Sequence, residues 1–160
     1  MALQLTLKPF ERLVINGCVV RNSTRKSTIV IETKADVVRG QDLLSKKAAV
    51  TPVNQVYFLV QTALTDPSLQ DKLRKPIQQQ LAALATTFGP PSVHSVFEAA
   101  NFVSQGDFYK ALRALRPLMK REAEILGANV PRPASFRDQA VRQDYGATEE
   151  EEPALRREVG

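Results

Sequence analysis

The hydrophobic period of this chain changes once, close to residue 48, and that change constrains the fold more than any other feature. Residues 3–8 alternate, with Leu3, Leu5 and Leu7 on one side and Gln4, Thr6 and Lys8 on the other. Period two over this length predicts a half-buried strand. Pro9 ends its pairing, because proline has no N–H to give. Two β-branched runs, at 11–15 and 18–22, flank Asn16-Gly17. That dipeptide suits a type I′ hairpin turn, whose two central residues both need positive φ. Residues 27–32 predict a further strand, and Val37-Val38 a short last one. The front end is thus expected to be an antiparallel meander of four or five strands. So small a sheet has open edges, which call for a helical cover or for pairing in a homodimer.

Beyond residue 48 the period becomes helical. Thr51-Pro52 is an N-cap followed by proline at the first helical position. Val53, Val56, Tyr57, Val60 and Leu64 then recur at helical spacing. Asp66-Pro67 repeats the start signal, and Pro76 inside the next run predicts a kink or a break. Gly89-Pro90-Pro91 stops that helix and Ser92 opens another. A last long helix is expected from Asp107, bent at Pro117, with Gly127 as its C′ residue. The expected fold class is α+β: a small β meander, a bundle of about four helices and a solvated acidic tail. The boundaries are a β module over 1–48, a helical bundle packed on it over 49–128, and a flexible tail over 129–160. A short helix near 136–143 is a further expectation within the tail.

Composition excludes several kinds of chemistry. Of 160 residues one is Cys and one is His. Cys18 has no internal disulfide partner and suits a reducing cytoplasm, packed as a small apolar residue. An ordinary Cys/His zinc site is excluded. His94 would have to carry all the proton work of a hydrolase, and its helical setting argues for a surface or half-buried residue instead. Phosphate loops and nucleophile elbows are missing from the sequence, so neither enzyme activity nor a cofactor is expected. The longest mostly apolar stretch, 56–64, contains Gln61 and Thr62 and falls far short of the ~20 residues a bilayer requires. The first residues lack the charged start and apolar core of a secretory signal.

Charge is unevenly distributed. The net charge of +5 resides mainly in residues 1–48, where nine basic residues face four acidic ones. Residues 129–160 hold five basic and seven acidic residues. A basic module followed by an acidic tail points to a polyanionic partner, with nucleic acid first in line.

The segment 5–44 resembles the start of the flagellum biosynthesis repressor family, FlbT. The matching pieces are Leu5-Thr6-Leu7-Lys8-Pro9, the strand ending in Ile15-Asn16-Gly17, Val19-Val20, the arginine-lysine turn, and Lys34-Ala35-Asp36-Val37. In the helical half they are Thr51-Pro52 leading into Val56-Tyr57-Phe58, and Asp107-Phe108-Tyr109-Lys110-Ala111-Leu112. The likeness covers about residues 1–126. The strand block is also similar in layout to the carbon storage regulator proteins, which are small five-stranded RNA binders. Leu5, Thr6 and Lys8 match their opening strand, and Arg39 takes the place of their last-strand arginine. Leu7-Lys8 stands where they have an arginine pair, Phe10 where both groups tend to have glycine, and Gly40 where a larger residue follows the arginine.

The resemblance implies a cytoplasmic regulator that binds the 5′ untranslated region of flagellin mRNA and lowers its translation or lifetime. A strand buried on one face leaves the other for ligand. Lys8, Arg12, Arg21, Arg25, Lys26 and Arg39 are strand or turn cations not needed for burial, and form the expected RNA-binding set, Arg25 and Arg39 foremost. Cations of this kind hold phosphates and read single-stranded bases. Phe10 is the only aromatic before Tyr57, so a broad stacking platform is not expected. The alternative is a chaperone-like interaction protein whose helical half holds flagellin or the small flagellar regulator FlaF. Both partners follow from the flagellar setting that the resemblance implies.

Overall fold

The computed structural model describes residues 2–127. The expected tail over 129–160, with its short helix near 136–143, lies outside them. Five strands come first: β1 (Leu3–Leu7), β2 (Arg12–Ile15), β3 (Cys18–Arg21), β4 (Ser27–Ile31) and β5 (Val37–Arg39). Five α-helices follow: α1 (Pro52–Thr65), α2 (Gln70–Thr87), α3 (Ser92–Ser104), α4 (Phe108–Ala114) and α5 (Arg116–Leu126).

The strands form two antiparallel sheets rather than one meander. β1 pairs with β4, while β2 lies between β3 and β5. Two local features divert the chain. Between β1 and β2, Pro9 cannot extend the ladder, and Phe10 adopts a left-handed φ of 61°, which turns β2 away from β1. Between β3 and β4, Asn22 ties the crossing together. Its Nδ2 donates to the carbonyls of Lys8 at 2.8 Å and Arg25 at 2.9 Å, and its Oδ1 accepts from the Ser27 hydroxyl at 2.7 Å. β4 therefore returns beside β1.

The β2–β3 hairpin turns at Asn16-Gly17, with φ of 49° and 82°. Asn16 also docks β5. Its N–H donates to the Asp36 carbonyl at 2.9 Å and its Oδ1 accepts from the Asp36 N–H at 2.9 Å. A Cβ on Gly17 would lie 2.7 Å from the Leu64 carbonyl oxygen, so the hairpin tip reaches the end of α1 only because that position carries no side chain.

Residues directly opposite each other across a sheet share a face. Val14 and Val38, which are such a pair, join the main core with the helices. Leu13, opposite Val20 and Arg39, occupies the other face and is buried too. The core is built around α1, whose Val53, Val56, Tyr57 and Val60 are buried among Ile77, Leu81, Val103, Leu112 and Met119. Each such side chain contributes roughly 1.5–3 kcal/mol on burial.

Local signals account for the helix ends. Thr51 caps α1 by accepting from the Asn54 N–H at 3.3 Å. α5 reinforces that cap: one Glu122 carboxylate oxygen accepts from the Thr51 hydroxyl, and the other accepts from the Val53 N–H at 3.1 Å. α2 does not break at Pro76. The bond it forgoes is to the carbonyl of Lys72, an exposed residue where water can take its place. The expected last helix is instead two, α4 and α5, joined at Leu115. Pro117 falls in the first turn of α5, where its missing N–H costs nothing.

The two modules are joined by side chains that read backbone. Gln61 of α1 accepts from the Leu44 N–H at 2.7 Å and donates to the Leu44 carbonyl at 2.9 Å. The Tyr57 hydroxyl donates to the Asp42 carbonyl at 2.6 Å, and the Asp42 carboxylate pairs with Arg116 at 3.2 Å.

Candidate nucleic-acid interface

Two turns cross at the end of the β module opposite the Asn16-Gly17 hairpin tip. One spans residues 8–11 and the other residues 22–26. They are tied by Asn22 and by two backbone bonds, Phe10 N–H to the Ser23 carbonyl at 2.9 Å and Asn22 N–H to the Glu11 carbonyl at 2.8 Å. Lys8 lies on the first turn, and Arg25 and Lys26 on the second. Arg12 opens β2 and Arg21 closes β3, directly opposite each other in the ladder. All five are exposed. Two cations so placed repel by a few tenths of a kcal/mol or more, and an anion between them relieves that repulsion. Among the described residues, Arg12, Arg21, Arg25 and Lys26 make no ion pair.

Arg39 is placed differently. It lies across from Leu13, on the face away from Arg12 and Arg21. Its Nη2 reaches Glu11 Oε1 at 2.6 Å and the Thr6 carbonyl at 2.9 Å, and its Nε donates to the same carboxylate oxygen at 3.1 Å. Since Thr6 belongs to β1, this guanidinium fastens the two-stranded sheet to the three-stranded one. Glu11 also accepts from the Lys8 N–H at 2.8 Å. Five of the six expected cations therefore share one tip, while the sixth is engaged beneath it.

Two residues of this tip are not marked in the sequence as functional. Asn22 sits in a stretch that reads only as a polar turn, yet its side chain brings Lys8 and Arg25 together. Phe10 is 59% exposed at positive φ, and no local pattern announces that conformation. Elsewhere, Cys18 follows the hairpin turn and is exposed rather than packed. His94 projects from α3, 3.8 Å from Glu98.

Two clefts bear on partner choice. One, of about 380 Å³, lies beside the hairpin tip and is lined by Asn16, Asp36, Asp107 and Tyr109 among others. Its carboxylates disfavour a polyanion. The other, of about 350 Å³ between α3 and α4, holds Phe102 under Lys110 and Tyr109 under Arg113. Among the described residues, no group of three His, Cys, Asp or Glu side chains is arranged to hold a metal ion. No helix among them is long and apolar enough to cross a membrane.

Fold and site together define an α+β protein whose β module, seated on a helical bundle, carries a cationic tip with one exposed aromatic ring. The family model for flagellar protein FlbT matches residues 3–126, and the chain belongs to that family. It is 39% identical over 130 residues to the probable flagellum biosynthesis repressor protein FlbT of Rhodopseudomonas palustris strain TIE-1, covering 79% of this chain and 98% of that protein. The relative of the same name from Mesorhizobium japonicum is 32% identical over 144 residues, covering 89% and 97%. The flagellum biosynthesis repressor protein FlbT of Caulobacter vibrioides strain ATCC 19089 is 31% identical over 128 residues, covering 79% and 91%. No solved structure matches at a comparable level.

Proposed function

We propose that this protein is a cytoplasmic, post-transcriptional repressor of flagellin synthesis that binds the 5′ untranslated region of flagellin mRNA through the tip formed by Lys8, Arg12, Arg21, Arg25 and Lys26. The repressor names of its relatives support the biological direction. One observation carries the chemistry: the exposed cations on two crossing turns and on the strand ends beside them include four without an ion pair among the described residues. Such groups neutralise phosphates and release the counterions condensed on them. Arg39 contributes by holding the tip's two sheets in register, since its guanidinium is already satisfied by Glu11 and Thr6. Crosslinking of the purified chain to flagellin leader RNA, followed by mapping of the contacted peptides, tests this. Adducts within residues 8–26 support it, and adducts confined to the helices overturn it.

A second reading rests on the groove between α3 and α4, where Phe102 and Tyr109 lie under cations. Aromatic and arginine side chains anchor protein interfaces, so flagellin or FlaF would dock there and control of the message would be indirect. A pull-down of either partner that survives nuclease favours this reading, and one lost on RNA digestion counts against it.

A further inference from the structure

Phe10 is an exposed aromatic ring that folding does not require. It lies outside the hydrophobic core, its side chain is largely in solvent, and its ring makes no contact with another ring or with a cation among the described residues. Its φ of 61° is one that glycine adopts freely and an L residue with a large side chain resists. An ordinary surface position would relax to a residue at ease there. An outlier of this kind, held by its surroundings, is a reason to look for a function.

The surroundings supply one. The Phe10 N–H is bonded to the Ser23 carbonyl, which fixes the ring's stem between the two cationic turns. Lys8 and Arg12 lie two residues to either side in the chain. Arg21 and Arg25 lie two residues to either side of Ser23, and Lys26 follows. Proteins that hold single strands combine a cationic track for phosphates with an aromatic face for an unpaired base. In double-stranded RNA the bases are stacked on one another, so their faces are closed to a protein ring.

We infer that Phe10 stacks on an unpaired nucleobase while the neighbouring arginines and lysines hold the flanking phosphates. The tip then selects single-stranded or looped RNA over duplex. This inference rests on the nucleic-acid reading above and assigns that reading its base-contacting residue.

The test uses the full chain, a single-stranded RNA pool of random sequence and a duplex RNA of equal length. Binding is measured by filter retention for the wild type and for Phe10→Gly, Phe10→Leu and Phe10→Trp. Glycine suits the left-handed backbone, so Phe10→Gly retains the fold, which circular dichroism checks. The expected result is a loss of single-strand affinity of roughly tenfold or more in both Phe10→Gly and Phe10→Leu, with Phe10→Trp close to wild type. The salt dependence of binding stays the same throughout, because no charge is removed. Wild-type affinity in Phe10→Gly, or full rescue by Phe10→Leu, overturns the stacking and leaves the cationic tip standing. So does a change confined to self-association in light scattering. A wild-type chain that retains neither RNA overturns the nucleic-acid reading itself, and the stacking with it.

Discussion

Arg39 of β5 and Glu11, the residue just before β2, meet at 2.6 Å, with the Thr6 carbonyl of the other sheet completing the guanidinium's contacts at 2.9 Å. The pair is half-buried, at 29% and 13% side-chain exposure. It escapes much of the solvent screening that makes surface pairs weak. Arg39→Ala leaves a carboxylate oxygen and a carbonyl without their donor, and a stability loss of about 2 kcal/mol is expected in urea unfolding. Arg39→Lys restores only part of it, because an ammonium group lacks the planar fork. RNA affinity measured on the folded fraction stays near wild type for both.

Glu122 holds two helices together through a cap. Its carboxylate serves Thr51 and the Val53 N–H from a different helix, and it is buried. Negative charge at a helix N-terminus is favourable. Glu122→Ala removes both acceptors and opens a small void, with an expected loss of roughly 2–4 kcal/mol. Glu122→Gln keeps an acceptor and loses less. Thermal unfolding followed by circular dichroism ranks the two, and equal losses would contradict the cap.

Burial pushes the Tyr57 hydroxyl well above the usual tyrosine range, with Asp42 adding to the shift and Arg116 opposing it. The folded state keeps its proton where the unfolded chain has already lost it. Stability from this group is therefore complete below about pH 10, the ordinary tyrosine value, and declines as pH rises beyond that. Tyr57→Phe removes this alkaline loss. At neutral pH the variant is less stable by roughly 1–3 kcal/mol, because the Asp42 carbonyl loses its donor. Urea midpoints measured across the alkaline range read both effects.

Gly17 is doubly constrained, by its φ of 82° and by the 2.7 Å approach of the Leu64 carbonyl oxygen to a Cβ built there. Gly17→Ala must bend the turn and push the hairpin off α1. Roughly 2 kcal/mol or more is expected to be lost. Gly89→Ala, where a Cβ would meet nothing, is the control and stays near wild type.

Features coded within a few residues were legible in the sequence. Asn16-Gly17 marks its turn and Thr51-Pro52 its helix start, and five of the six expected cations do reach one tip. Features that depend on distant side chains were not. The pairing of β1 with β4 follows from Asn22 gripping Lys8 and Arg25, which no periodicity encodes. Arg39 reads as a surface cation until the register sets it beside Glu11. The left-handed backbone of Phe10 comes from the crossing of two turns, not from a residue type that favours it. The division of the last helix at Leu115 places Pro117 at a helix start, a position that periodicity alone does not separate from a bend.

The salt dependence of binding to flagellin leader RNA tests the cationic tip most directly. Each phosphate contact on a single strand contributes about 0.7 to the slope of log affinity against log salt. Replacing Arg12, Arg21 and Arg25 together with alanine should lower that slope by about 2 and weaken binding most at low salt, with the unfolding midpoint little changed. Parallel slopes for the variant and the wild type would contradict RNA binding at this tip.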